Sequence, residues 1–223
     1  GTGRATLQIQ RPQAGGVSSV ELTTPTGEAT GRVPIEYGAV TSRNFDFNTL
    51  SSATYSPFNP TTNPKGYVGV VETDLFTASR GYGWLTQPEG YFLSTSTGQP
   101  APDLLRDSNR GVTPDTFRVA LPNGVYSVHT YLGGPGDNRN LSVVANGSPV
   151  ITGLGISSGT FYETSFNATV SNGLLDLTFS QNESGVFNAH WTVCGLEVQP
   201  LASVGTITAP APLTLAANGS TVT

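Results

Sequence analysis

The run Phe117-Arg118-Val119-Ala120-Leu121-Pro122-Asn123-Gly124-Val125-Tyr126-Ser127-Val128-His129-Thr130-Tyr131-Leu132 fixes the fold class. Phe117, Val119 and Leu121 alternate, Pro122-Asn123-Gly124 carries turn chemistry, and Tyr126, Val128 and Leu132 resume the alternation. A period of two marks a strand with one buried face, so the run predicts a β-hairpin. The same grammar continues downstream. Leu141, Val143 and Ala145 end at Asn146-Gly147; Phe166, Ala168 and Val170 precede Ser171-Asn172-Gly173; Leu175, Leu177 and Phe179 alternate after it, and a last strand runs from Trp191 to Val198. Strands at intervals of roughly ten residues with turns between them indicate an all-β sandwich or barrel, not alternating β and α units.

Upstream, the main body opens at Asn44-Phe45-Asp46-Phe47. The loop from Thr49 to Lys65 is long enough to be functional or to wrap the body. Tyr67-Val68-Gly69-Val70-Val71 and the aromatic cluster Gly81-Tyr82-Gly83-Trp84-Leu85 follow, and a polar stretch leads through Arg106-Asp107 to the run above. Residues 1–43 form a leading segment with two β-like runs, Ala5 to Gln10 and Val17 to Leu22. Residues 44–199 form the sandwich. Residues 200–223 are apolar and punctuated by proline, and periodicity does not choose between an extra strand, a linker and an arm that pairs with a neighbour.

Composition narrows the partners. A net charge of -5 with one lysine, Lys65, leaves no basic stripe for phosphates, which excludes nucleic acid and disfavours anionic membrane surfaces. No stretch approaches the ~20 apolar residues of a membrane helix, so no membrane insertion is expected. Cys194 is the one cysteine and cannot form an internal disulfide. Only 11% of residues are charged, and the Thr/Asn/Gly-rich surface points to an extracellular or cell-surface protein of bacterial type.

Phe45-Asp46-Phe47, Gly81-Tyr82-Gly83-Trp84, the run Phe117 to Val128, Val144-Ala145-Asn146-Gly147 and Trp191-Thr192-Val193-Cys194-Gly195-Leu196-Glu197-Val198 occur in an order that resembles the galactose-binding-like, malectin-like sandwich domains. The likeness is to the non-catalytic domains attached to bacterial rhamnogalacturonan acetylesterases and similar polysaccharide-active proteins. It covers residues 44–199 and implies an antiparallel jelly-roll sandwich with additional strand-like segments at both ends. Leu132 to Arg139 carries an insertion relative to the family pattern, so a binding role of that loop does not transfer.

Neither Gly-x-Ser-x-Gly nor a Gly-Asp-Ser start occurs, and His129 and His190 are the only histidines, so no Ser-His-Asp centre can be assembled. The acids Glu72, Asp74, Glu89, Asp103, Asp107, Asp115, Asp137 and Glu163 show no spacing that sets two across one glycosidic bond. No enzyme is expected. A structural Ca²⁺ is the one cofactor the residues admit, with Glu72, Asp74 and Asp137 as oxygen ligands, although no Asp-x-Asp-x-Asp-Gly loop is present.

The aromatic residues point to binding. Tyr82, Trp84 and Tyr91 are candidates to stack on sugar rings, against the competing reading that they fill the core. Asp137, Asn138 and Arg139 offer a carboxylate, an amide and a guanidinium fork, and His190 stands at a strand entrance. The expected function is a non-catalytic carbohydrate-binding or adhesive module, with a polysaccharide or glycan as partner. The alternative is a structural subunit of an extracellular fibre, sheath or surface layer, whose terminal strands pair with copies of itself or with neighbouring domains.

Overall fold

The computed structural model describes residues 8–10, 16–23, 29–37, 42–52, 66–92, 104–134, 138–181, 190–201 and 204–206. Its elements are all strands: β1 (Gln8–Gln10), β2 (Gly16–Thr23), β3 (Ala29–Tyr37), β4 (Arg43–Asn48), β5 (Tyr67–Val71), β6 (Tyr82–Trp84), β7 (Glu89–Phe92) and β8 (Asp107–Gly111) in the first half. The second half adds β9 (Asp115–Ala120), β10 (Gly124–Gly134), β11 (Asn138–Ala145), β12 (Ser148–Ile156), β13 (Thr160–Val170), β14 (Leu174–Gln181), β15 (Trp191–Pro200) and β16 (Val204–Thr206). Two sheets build the sandwich. The larger runs β13-β10-β15-β4-β5, with β8 also paired to β15 and β7 paired to β8; the smaller runs β12-β11-β14-β9-β6.

Alternation along these strands aims one set of side chains between the sheets. Phe117 and Val119 of β9, Leu175, Leu177 and Phe179 of β14, Tyr126 and Val128 of β10, and Trp191, Val193, Leu196 and Val198 of β15 are all buried there. Aromatic rings fill the middle: Trp84 lies 5.2 Å from Phe117 and 5.5 Å from Trp191, and Trp191 stacks on Phe179 at 5.6 Å. Their polar atoms are satisfied, because the Trp84 indole N–H donates to Asn109 Oδ1 at 2.8 Å and the Trp191 indole N–H donates to the Thr113 carbonyl at 2.6 Å.

The run that sets the fold class is not a hairpin. β9 pairs with β14 and β6 in the smaller sheet, whereas β10 pairs with β13 and β15 in the larger one, so residues 121–123 carry the chain across the core. The favoured two-residue hairpin turns need positive φ at least at their first central residue, and proline holds φ near about -65°. Asn146 and Gly147 do have positive φ, 46° and 82°, and they join β11 to β12 as a true hairpin. At the corner, the Tyr126 hydroxyl instead donates to the Pro122 carbonyl at 2.7 Å. The Asn123 side chain accepts the Gly173 N–H at 2.8 Å, and Leu121 N–H donates to the Gly173 carbonyl at 3.0 Å, so this corner is clasped to the β13–β14 corner beside it.

Outside the sandwich, β2 and β3 form a two-stranded antiparallel ribbon. Of these, β2 matches the predicted run Val17 to Leu22, and β3 was not anticipated. The tail contributes β16, which pairs antiparallel with β1 of the same chain. Residues 207–223 and most of the Thr49 to Lys65 loop lie outside the described residues.

Gly111 lets the core close. A Cβ there would stand 2.7 Å from Trp191 Cζ2 and 3.0 Å from an Asp115 carboxylate oxygen. Gly111→Ala is expected to destabilise the fold by about 1–3 kcal/mol through overpacking, read from the urea midpoint. An unchanged midpoint would show that the indole has room to move.

Candidate functional site

The outer face of the larger sheet is polar where the inner face is aromatic. β8 has no apolar residue, Asp107-Ser108-Asn109-Arg110-Gly111, yet four of its five residues are buried because β7 and β15 flank it. Asn109 turns inward to Trp84, so Arg110 turns outward with Thr192, its partner on β15. Across the other seam Arg110 faces Glu89, the first residue of β7. Their side chains meet with Nε 3.4 Å from Glu89 Oε2.

Two further groups join this pair. The Arg110 guanidinium carbon stands 4.1 Å from the centroid of the Tyr91 ring, two residues along β7 and on the same face as Glu89. His190 sits just ahead of β15, with Nε2 3.8 Å from the same Glu89 oxygen. Glu89 is 58% exposed, Arg110 23% and His190 10%, so a carboxylate reaches into solvent from a floor of guanidinium and imidazole. The set offers a ring face, a planar donor fork and an acceptor within one patch, which are the contacts a hydroxyl-rich ring compound uses.

This patch does not contain a pair of acids for glycosidic cleavage. Glu72 packs on the opposite face of β7, where a Cβ on Gly90 would meet its carboxylate oxygen at 2.6 Å. A second cluster has the hydrogen-bond order of a catalytic triad: Ser165 Oγ lies 2.8 Å from His129 Nδ1, and His129 Nε2 lies 3.4 Å from Glu163 Oε2. It sits on the open face of β10 and β13, which stay in unbroken register from Gly124–Val170 to Gly134–Thr160. Backbone N–H groups there lie in the plane of the sheet and not on its face, so among the described residues the sheet offers Ser165 no backbone oxyanion donors.

Of the predicted site residues, the structure brings Tyr91 and His190 together through Glu89 and Arg110. Trp84 is fully buried, ringed by Phe47, Phe117, Phe179 and Trp191, and its indole faces leave no room for a sugar; it is a core residue. Tyr82 is half-buried on the smaller sheet, 5.2 Å from Phe45 and under the Arg80 guanidinium, remote from the patch in the sheet order. Asn138 is wholly buried at the start of β11. Asp137 and the side chain of Arg139 lie outside the described residues.

Glu72 and Asp74 do not converge as metal ligands. Asp74 Oδ2 accepts the Val71 N–H at 3.0 Å and Oδ1 pairs with Arg80 at 3.0 Å, while Glu72 turns to Gly90. Among the described residues no three His, Cys, Asp or Glu side chains come together in a way that suits a metal ion. Arg110 was missed by sequence reading, since a strand with polar residues on both faces has no hydrophobic period to reveal it.

Beside the patch, the middle of this face is sealed by a second apolar cluster of Tyr67, Leu104, Leu105, Tyr131 and Cys194. Both tyrosine hydroxyls donate to the buried Glu197 carboxylate, Tyr131 at 2.9 Å. Burial, reinforced by that hydrogen bond, raises both phenols above the ordinary tyrosine value of 10.0. Burial also pushes the Cys194 thiol up, with the Asp46 and Asp107 carboxylates adding to it, so the thiol is inert.

These features are those of an all-β sandwich domain with a polar patch at one sheet edge. The family model for the beta-agarase/YXIM esterase-like, galactose-binding domain-like family matches residues 57–199, and the chain belongs to that family. YxiM of Bacillus subtilis, named as an uncharacterized esterase, is 28% identical over 138 residues, which are 61% of this chain and 34% of YxiM. Beta-agarase A of Zobellia galactanivorans is 25% identical over 138 residues, 62% of this chain and 24% of the agarase. The chain thus spans the equivalent of about a third of one relative and a quarter of the other. The crystal structure of YxiM superposes with a TM-score of 0.54 at 24% identity, covering 73% of this chain and 40% of that one. The same fold appears in Bacteroides uniformis beta-glucuronidase 2, with a TM-score of 0.55 at 11% identity over 88% of this chain and 23% of the glucuronidase.

The phenol pair sets an alkaline limit. An unfolded chain releases two protons above pH 10 that the native state keeps, so stability is intact below that pH and falls as pH rises. The expected slope is about 2.7 kcal/mol per pH unit for two groups, and Tyr67→Phe halves it, measured from urea midpoints at successive alkaline pH values. Equal slopes in both proteins would mean that Tyr67 ionises freely in the fold.

Proposed function

We propose that the chain is a non-catalytic carbohydrate-binding module of a larger secreted or cell-surface protein, holding a polysaccharide at the Tyr91, Arg110, Glu89 and His190 patch. The observation that carries this reading is the Arg110 guanidinium 4.1 Å from the Tyr91 ring, with Glu89 exposed beside it. Fixing the fork against the ring reduces the side-chain freedom lost when a ligand docks. Membership of a galactose-binding-like family supports the ligand class, and so does a relative whose name is that of an agarase. A location outside the cell follows from the same reading, because polysaccharide is met there, and from the scarcity of lysine.

The structural-subunit alternative drew on terminal strands without partners. β16 has β1 as an antiparallel partner inside the chain, which weighs against donating that strand to a neighbour.

An array of neutral and acidic polysaccharides is the test. The wild-type chain is expected to retain at least one of them, and Tyr91→Ala and Arg110→Leu each to weaken that binding about tenfold or more. Retention of none, or variants that bind like wild type, would rule this reading out.

A further inference from the structure

The outer face of the smaller sheet, on the opposite side of the sandwich from Tyr91, carries a second set of paired polar groups. Thr116 and Thr178 face each other across β9 and β14 with their hydroxyls 2.8 Å apart. Two residues further along β9, Arg118 and Asp176 form a two-pronged pair, Nε to Oδ1 and Nη2 to Oδ2, both at 2.7 Å. Val144 extends the threonine row onto β11. Leu85, the Asn146-Gly147 turn and the Ser171-Asn172 corner rise around this floor and enclose a depression of about 410 Å³.

We propose that this depression is a second glycan site, one that takes a neutral saccharide. Three features select that class. Arg118 and Asp176 cancel in charge, and the hydrogen bond to Asp176 raises the Arg118 pKa further, so the floor presents donors and acceptors side by side with no net charge to recruit an ion. Thr116 and Thr178 line the depression and share one hydroxyl hydrogen bond between them, which leaves one O–H donor and further acceptor lone pairs for ligand hydroxyls. Leu85 and Val144 line the depression, Leu85 43% exposed at its rim, and supply the apolar contact that the C–H face of a sugar ring needs. The volume lies within the range of about 300–1,000 Å³ of small-ligand sites.

The floor is also held in place before any ligand arrives. Each polar side chain is oriented by its cross-strand partner, and the walls are anchored: Asn146 donates to the Thr169 and Leu174 carbonyls at 2.8 and 3.1 Å and accepts the Asp176 N–H at 2.7 Å. A site on strands positions its groups more tightly than one on loops. This inference does not depend on the Tyr91 patch, and the two sites lie on different sheets.

The experiment is an amide-shift NMR titration of the full chain with neutral hexasaccharides of galactan, glucan and mannan, and with a polygalacturonate hexasaccharide as the acidic comparison. At least one neutral hexasaccharide is expected to shift the amides of Thr116, Val144 and Thr178 saturably, and the acidic one to leave them in place. Asp176→Asn should weaken that response about tenfold, and Thr178→Val, which keeps the β-branched shape, should weaken it without altering the fold. Tyr91→Ala should leave it unchanged. Shifts confined to the surroundings of Tyr91 and Arg110 overturn the second site and leave the first standing; shifts confined to Thr116 and Thr178 do the reverse. Stronger shifts with the acidic hexasaccharide, or none at these amides, overturn the inference.

Discussion

Asn109 joins the core to the candidate site. Its amide oxygen accepts the Trp84 indole N–H and its amide nitrogen donates to the Asn48 carbonyl, each at 2.8 Å, and the residue is wholly buried. Breaking either bond leaves a buried polar group without a partner, at a cost of about 1–3 kcal/mol. The two bonds tie β8 to β6 through the indole and to β4 through the carbonyl. Because side chains alternate, a fixed inward Asn109 means a fixed outward Arg110. The position of the guanidinium over Tyr91 is therefore a consequence of how the aromatic core is closed, one residue away in the chain.

The larger sheet has an unusual second burial. Leu104 lies over Gly195, where a Cβ would stand 2.9 Å from Leu104 Cδ1, and with Leu105 it shields Tyr67, Tyr131 and Glu197 from water. A carboxylate removed from solvent is tolerated when its lone pairs receive donors, and two phenols supply them. That shielded middle divides the polar face into two exposed ends. One carries Tyr91 and Arg110; the other carries His129, Glu163 and Ser165, whose hydrogen bonds resemble a catalytic arrangement without the backbone donors that would make it one.

Much of the sandwich was legible, for a reason that also explains what was not. Phe117, Val119, Tyr126 and Val128 alternate because they face a core, and alternation reports burial on one side. It does not report which strand lies alongside, and so the turn between β9 and β10 was read as a hairpin when the same residues line opposite walls of the sandwich. Proline at position 122 is the sequence feature that separates this corner from the Asn146-Gly147 hairpin. β8 was invisible for a different reason: with β7 and β15 on either side, its polar residues are buried by neighbours rather than by their own hydrophobicity. Of the site, Tyr91 and His190 were legible as an aromatic ring and a strand-entrance histidine, and the link between them through Glu89 and Arg110 exists only in the register of three strands.

The proposed role, holding a ligand rather than transforming it, matches the groups the patch carries. Bond cleavage needs groups that change protonation in concert around one reacting atom, and the exposed patch has one carboxylate, Glu89, already shared between a guanidinium and an imidazole. Recognition needs less: oriented donors and acceptors beside an apolar ring, with little side-chain freedom left to lose. Cross-strand pairing provides that on a sandwich, since neighbours such as Arg118 and Asp176 fix one another. An exposed pair of this kind contributes under about 1 kcal/mol to folding. Its charges are already balanced within the protein, so a neutral hydroxyl-bearing ligand can approach it without bringing a counter-charge or displacing either partner.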